Sequence, residues 1–393
     1  VPRLVTEIEV DGVLNEAPWA EAAVLTGFSE YKPVDGLPAA DNTEVLVWYS
    51  PDAIHFGIRA FEPHGPPTAS LADRDKIESD DHVQILLDTF NDGRSAIVFG
   101  VNPFGVQADG SRVEQRVSTR TTSSNTNRDP VDLSQDFLYE SRGRLTDWGY
   151  EIEVRIPFKS LSYPSEDTQS WGINVIRRVQ HSGHEQTWTP ALLGRASFLA
   201  QGGTLHDLAG FERGLVLDIN PVVTSAIDGA SQTAGWEYEA QQPEFGGNIR
   251  WGLTSNLTMN GTVNPDFSQV ETDQGRVQYD PRRAVFFAEK RPFFLEGSEY
   301  FQTPNRLIYT RRIASPIAAA KFTGKIGGTE LAFLSAADDK ALSASEDDYP
   351  LYNLVRIKRD VGEESTVGIA YTDRVDGSDY NRVASADTRF VFG

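Results

Sequence analysis

The chain reads as an all-β protein: an N-terminal antiparallel β-sandwich followed by strands of a β-barrel, closed or incomplete. Three observations predict this. From Phe245 to Gln269 the residues alternate with period two: Ile249, Trp251, Leu253, Leu257, Met259 and Val263 fall on odd positions, and Gly, Thr and Asn fill most even ones. In the first 213 residues, short apolar runs recur between Gly, Pro and Asn turns, as in a sandwich. No run of about eighteen apolar residues occurs, so a transmembrane helix is excluded. Barrel strands need no such run.

Taken in order, Ile8 to Gly12 is a strand ending in an Asp-Gly turn, and Asn15 caps a short helical turn that lays Trp19 on the core. Thr43–Tyr49 and Ile54–Phe61 pair across Ser50-Pro51-Asp52-Ala53, with Ile54, Phe56, Ile58 and Ala60 on one face. His82–Asp88 and Ser95–Asn102 pair across Asn91-Asp92-Gly93-Arg94. Gly149–Ile156, Trp171–Gln180 and Glu185–Thr189 continue the pattern, and Thr204–Arg213 closes it. The first domain is therefore 1–213.

Four motifs carry a resemblance. Ile8 to Trp19 (IEVDGVLNEAPW), Val45 to Tyr49 (VLVWY), Asp80 to Asp88 (DDHVQILLD) and Glu151 to Phe158 (EIEVRIPF) with Trp171-Gly172-Ile173-Asn174 follow one another as in a carbohydrate-binding module of family 9, which they resemble over residues 1 to 212. The resemblance implies a sugar held between two tryptophans with calcium nearby. Trp188 falls where the second tryptophan sits; the place of the first is Ile77-Glu78-Ser79, without an aromatic ring. Trp188, Trp48 and Glu185 are the candidate carbohydrate-binding residues. Asp80, Asp81 and Asp88 are the candidate calcium ligands, since calcium takes six to eight oxygens.

In the second domain, 214–393, Leu215–Ile227 is a strand interrupted by Pro221 and Ser231–Glu244 a polar loop or linker. The ribbon at Phe245 turns at Thr254-Ser255-Asn256. Its small uncharged polar face, opposite Trp, Leu and Met, suits a strand between lipid and a wet lumen. A hairpin of an ordinary soluble sheet is the alternative. Asn264 to Glu271 (NPDFSQVE), Phe286 to Gly297 (FFAEKRPFFLEG) and Leu307 to Ile313 (LIYTRRI) follow. In that order behind a family 9-like module, these motifs resemble a bacterial outer-membrane family of unknown function whose members end in a β-barrel. The resemblance implies the outer membrane of a Gram-negative bacterium, with the sandwich in the periplasm or within the barrel. Glu289, Lys290, Arg291 and Glu296 cannot face lipid, so Phe286–Gly297 is expected inside or beneath the barrel with its charges paired. Ala318–Ile326, Leu331–Ser335, Leu351–Arg359, Thr366–Asp373 and Asp387–Phe392 are further strands, and Ala337–Tyr349 and Arg374–Ser385 long acidic loops. Eight or nine strands are near the minimum for closure. The pattern stops midway at Phe390-Val391-Phe392-Gly393, as in the N-terminal part of a larger barrel.

Composition narrows the function. A net charge of −21 argues against nucleic acid and favours cations and neutral ligands such as glycans. With no cysteine there is no thiolate site or nucleophile, which fits an exported bacterial protein. The chain starts at Val1 without the basic and apolar regions of a signal peptide. His181 and His184, with Glu185 beside them, read as a hairpin turn rather than a zinc site. Glu151 and Glu153 lie on one strand face, unlike a glycosidase pair on facing elements. No Gly-x-Ser-x-Gly elbow or phosphate loop occurs, so catalysis is not expected. The expected function is non-catalytic binding or uptake of a glycan at the outer membrane, in contact with its lipid. The alternatives are the accessory part of a secreted glycan hydrolase and a structural partner of other envelope proteins.

Overall fold

The computed structural model describes residues 1–114, 131–195, 197–225, 227–232, 235–240, 242–267, 287–345, 347–362 and 365–391. The chain divides into two compact units, Val1–Leu215 and Val216–Gly393. No helix among the described residues is long and apolar enough to cross a membrane.

The first unit runs α1 (Ala17–Glu21), β1 (Ala23–Leu25), β2 (Ser29–Lys32), β3 (Thr43–Tyr49), β4 (Ala53–Phe61), β5 (His82–Asp88), β6 (Ser95–Val101), β7 (Gln107–Val113), β8 (Glu140–Thr146), β9 (Gly149–Pro157), β10 (Thr168–Val179), β11 (His184–Thr187) and β12 (Gly203–Ala209). One antiparallel sheet is ordered β1-β3-β4-β9-β8; the other is β2-β11-β10-β5-β6-β7, with β12 also on β10. The inward residues of both sheets interlock. Val45, Val47, Ile54, Phe56 and Ile58 pack with Val83, Ile85, Phe99, Trp171 and Val175 in one fully buried core. Each such side chain contributes ~1.5–3 kcal/mol of burial, and together they decide the sandwich.

The alternation of β4 predicts Ile54, Phe56, Ile58 and Ala60 on the core, and all four are buried. Its other face is covered as well. Leu14 and Trp19 lie on Gly57, where a Cβ would stand 2.8–2.9 Å from both side chains. Ile8–Asp11 is not a strand but part of this cover. It is held by a side chain of β9: the Glu153 carboxylate accepts from the backbone N–H of Asp11 (2.8 Å) and Gly12 (3.0 Å) and from Trp19 Nε1 (3.3 Å). The cap position of α1 is Glu16 rather than Asn15.

The second unit contains β13 (Leu217–Thr224), β14 (Ile227–Gln232), β15 (Gly235–Ala240), β16 (Glu244–Thr254), β17 (Leu257–Val263), the one-turn α2 (Pro292–Leu295), β18 (Pro316–Ile326), β19 (Thr329–Asp338), β20 (Leu351–Val361), β21 (Ser365–Asp376) and β22 (Asp379–Arg389). Eight of the strands form one antiparallel meander, β13-β16-β17-β18-β19-β20-β21-β22. The sheet is open among the described residues, with β13 and β22 at its edges. Two expectations are corrected. Ser231–Glu244, read as a loop because it is polar, contributes to the β14–β15 hairpin and the start of β16. Arg374–Ser385, read as an acidic loop, is strand on both sides of a tight turn at Gly377 (φ +59°), with Arg382 and Asp373 paired at 3.2 Å. Charged cross-strand pairs tolerate an exposed sheet, and composition alone hid them.

The two faces of this sheet differ in kind. On one, the registers align Leu217, Trp251, Met259, Phe322, Phe333, Val355, Tyr371 and Ala384 across all eight strands, an unbroken apolar row. Beside it runs Leu257, Gly324, Leu331, Ile357, Ile369 and Ala386. Trp251, Met259 and Phe333 are 44%, 39% and 43% exposed, so among the described residues of this unit no second sheet covers them. The opposite face is polar and covered. Lys358–Glu330 (2.6 Å) is an ion pair between neighbouring strands, while Lys325–Asp360 (2.7 Å) and Arg356–Asp387 (2.9 Å) each reach across an intervening strand.

The segment around α2, expected inside or beneath a barrel, lies on that polar face of the open sheet (Phe286 lies outside the described residues). Phe293, Phe294, Phe301 and Ile313 pack on Ala319, Ala332, Leu334 and Leu354. Arg291 is buried and bidentate to Glu289, with Nε and Nη2 each 2.8 Å from a carboxylate oxygen. Lys321 caps the helix by donating to the carbonyls of Phe293 and Glu296. Gly297 takes a left-handed conformation (φ +67°), and a Cβ there would stand 2.8 Å from Thr323 Oγ1. Of Asn264–Glu271, Phe267 joins this cluster; Ser268–Glu271 lie outside the described residues.

Candidate functional site

The six predicted site residues do not gather in one place. Trp48 is fully buried: His55 stacks on its indole (centroids 3.9 Å apart, planes at 2°) and Trp19 meets it edge-on at 5.9 Å. With both neighbours inside the protein it offers no face to a sugar, and that expectation is corrected. The cause is the N-terminal cover, which buries the outward side of β3 and β4. Trp188 is half-buried at the end of β11, its ring against Gly203, where a Cβ would stand 2.4 Å away. Glu185 bridges strands, 2.9 Å from Lys32 and 3.3 Å from Arg178.

The three aspartates are buried acceptors of N–H and O–H donors. Asp80 takes Ser70 N (3.1 Å), Ser70 Oγ (2.9 Å) and Asn102 Nδ2 (2.8 Å). Asp81 takes Thr68 N (2.6 Å) and Gln180 N (2.8 Å). Asp88 closes the β5–β6 turn through Phe90, Asp92 and Gly93 N–H groups at 2.7–3.2 Å. These carboxylates hold loops, and their lone pairs face donors where a calcium site needs them to face a cation. They do not fit that metal as a set.

A cleft of about 470 Å³ opens between the β7 and β8 edges, lined by Arg74, Gln107, Tyr139, Glu140, Ser141 and Arg142 among others. Its floor is preorganised. Arg74 Nη1 donates to Gln107 Oε1 at 2.7 Å, and Gln107 Nε2 donates to Ser141 Oγ at 3.1 Å. Burial raises the Asp109 carboxyl beneath Arg74 to about 6. Such planar polar groups around a concave surface can hydrogen-bond a hydroxylated ligand. Sequence reading missed this cleft because its members come from four separate segments.

Nothing in the sandwich is arranged for catalysis among the described residues. His55 Nε2 lies 3.3 Å from Ser50 Oγ, but the hydroxyl already bonds Asp52 Oδ1 at 2.6 Å. Burial pushes the imidazole down to about 3, which keeps it neutral and sealed beneath Trp48. Glu151 pairs with Arg144 (2.7 Å), and Glu153 serves the N-terminal cover. Carboxylate oxygens of Asp11, Glu16 and Glu153 lie within 4.8 Å of one another.

Burial, with Glu16 and Asp11 nearby, raises the Glu153 carboxyl from 4.5 to about 7. The folded chain therefore holds a proton that the unfolded chain loses between those values. Stability from this group is complete below about pH 4.5 and declines as pH rises toward 7, by about 3 kcal/mol at most. Chemical denaturation at about pH 5 and pH 7 should show wild type losing more stability than Glu153→Gln over that interval. Equal losses would remove Glu153 as the cause.

Comparison with known proteins adds the following. The model of a family described as a domain of unknown function, DUF5916, matches residues 215–335. No curated protein matches. Among solved structures, a family 9 carbohydrate-binding module from Caldicellulosiruptor kristjanssonii in complex with cellotriose is 14% identical, with a TM-score of 0.36, over 54% of this chain and 94% of that one. The same organism's module with glucose gives 14%, 0.36, 53% and 96%. A putative carbohydrate-binding protein from Bacteroides uniformis gives 15%, 0.38, 52% and 96%.

Proposed function

We propose that the protein is a non-catalytic glycan-binding component of the outer membrane of a Gram-negative bacterium, its second unit forming part of a β-barrel wall. One observation carries the reading: the apolar row from Leu217 to Ala384 crosses eight strands on an uncovered face, while Lys321, Lys325, Glu330, Arg356 and Lys358 lie on the other; Arg359 and the Asp373–Arg382 pair share the apolar face but stand away from the row, toward its margins. Water gives no reason for that division, since a solvated sheet face gains nothing by excluding charge. Hydrocarbon does, because a charge on the lipid side costs several kcal/mol. The packed segment around α2 then occupies the lumen side.

The sandwich would take the glycan. The half-buried ring of Trp188 and the polar cleft beside Arg74 support this, together with the sequence motifs of residues 1 to 212. A net charge of −21 suits a neutral or cation-bridged ligand.

One preparation tests both halves. In vesicles of chain-brominated phosphatidylcholine, tryptophan emission should be quenched, and the quenched fraction should fall in Trp251→Phe. Unchanged quenching in that variant sinks the membrane assignment. Cellotriose, titrated into the same vesicles, should bind to wild type and lose about tenfold or more in Trp188→Ala, as expected when a stacking ring is removed. Saturation unaffected by that substitution would remove Trp188 from the site.

A further inference from the structure

Trp188 and the cleft beside Arg74 stand near opposite borders of one sheet. Strand registers connect them in a single row: Gln107 of β7 lies beside Val101, and then come Val83, Arg177 and Gln186 of β11. Trp188 follows two residues on, its N–H donating to the Val175 carbonyl at 2.9 Å. Four strand steps of ~4.8 Å put the ends of the row ~19 Å apart along the sheet. Val101, Val83 and Arg177, between them, are fully buried. The row therefore runs inside the protein, and a glycan of a few units reaches one end or the other.

The two ends also differ in chemistry. Trp188 offers a half-buried aromatic ring. The cleft offers no such ring, because Tyr139 is 4% exposed and its hydroxyl is spent on the Gly100 carbonyl at 2.9 Å. Gln107 is spent as well. Its carbonyl accepts from Arg74, and its amide donates to Ser141 Oγ (3.1 Å) and the Tyr139 carbonyl (2.9 Å), so it positions the floor. The open capacity belongs to Arg142 and Glu140, two residues apart on β8 and hence on one side of that strand. Arg142 is exposed, and its guanidinium makes one contact, Nη1 to the Ser141 carbonyl at 3.3 Å. Among the described residues no carboxylate pairs with it, so most of its N–H donors remain for a ligand. Glu140, held by Arg155 at 2.7 Å, supplies a charged acceptor beside it. A sugar hydroxyl both donates and accepts, and a donor fork next to a carboxylate serves both needs. The volume, about 470 Å³, suits a small ligand.

We infer that the β7–β8 cleft is a second glycan site, independent of Trp188, which grips sugar hydroxyls through Arg142 and Glu140 without a stacking ring. One sandwich then takes two glycan segments, one near each border of the sheet. This rests on the glycan binding proposed above for the sandwich.

Equilibrium dialysis of labelled cellotriose against the full chain, in the same vesicles, tests it. Wild type should saturate at about two equivalents per chain, and Trp188→Ala and Arg142→Ala at about one each, since independent sites add. Glu140→Ala should lose the same equivalent as Arg142→Ala. The change in tryptophan emission caused by cellotriose should survive in Arg142→Ala and vanish in Trp188→Ala. Because Arg142 is exposed, thermal melts of Arg142→Ala and wild type should coincide, which separates lost binding from lost folding. One equivalent in wild type, two in both cleft variants, or loss of the emission change in Arg142→Ala would overturn the second site and leave glycan binding by the sandwich standing. No cellotriose bound by wild type would remove both.

Discussion

Phe333→Arg should lower the unfolding free energy of the second unit in a bilayer by about 2–4 kcal/mol, the cost of a cation near the midplane of a barrel's lipid face. Phe333 sits in the apolar row, between Phe322 and Val355 on the neighbouring strands, and is 43% exposed. If that face met water, the substitution would stay within about 0.5 kcal/mol, as surface changes do. The two surroundings thus predict effects several-fold apart for one residue. Urea unfolding in phosphatidylcholine vesicles, followed by tryptophan emission, reads the difference. A loss below about 1 kcal/mol would place the row in water.

The second large effect is expected on the other face. Arg291 is 4% exposed; besides Glu289 it donates through Nη1 to the Ile313 carbonyl (2.6 Å) and through Nη2 to that of Thr310 (3.1 Å), with its guanidinium 4.2 Å from the Phe294 ring. Arg291→Met leaves the Glu289 carboxylate without its cation and the Ile313 and Thr310 carbonyls without the guanidinium donor, and should cost about 3–5 kcal/mol. Glu289→Leu combined with Arg291→Met removes the stranded charge as well, so the double variant should be more stable than Arg291→Met alone. Denaturation of wild type, Glu289→Leu, Arg291→Met and the double variant measures this directly. A double variant that loses the sum of the single losses would show that the pair is not coupled.

Strand content was legible because alternation is a local property. The faces of β4, the turn at Thr254-Ser255-Asn256 and the two sides of β16 and β17 follow from period two alone. Whether an outward residue is then covered is not local, and there the reading failed. Trp48 sits on the side that alternation turns away from the sandwich core, and only the distant N-terminal segment, held through Glu153, buries it. The aspartates of Asp80-Asp81 and Asp88 carry the same composition whether they hold a metal or close loops; at Asp80 and Asp81 the donors that decide, Ser70, Asn102 and Gln180, are remote, and at Asp88 they are the backbone N–H groups of its own turn. Polar strands such as β14, β15 and β22 escaped for the opposite reason: many of their own residues are charged or small, and low hydropathy imitates a loop.

The open edges at β13 and β22 bear on how such a sheet reaches a bilayer. A bordering strand offers a column of amide and carbonyl groups that water satisfies and oil does not. On the proposed membrane assignment, entry of this sheet into lipid and the covering of its two edges would have to happen together. Until then the two borders would stay hydrated, or be shielded by a holding factor in the aqueous compartment.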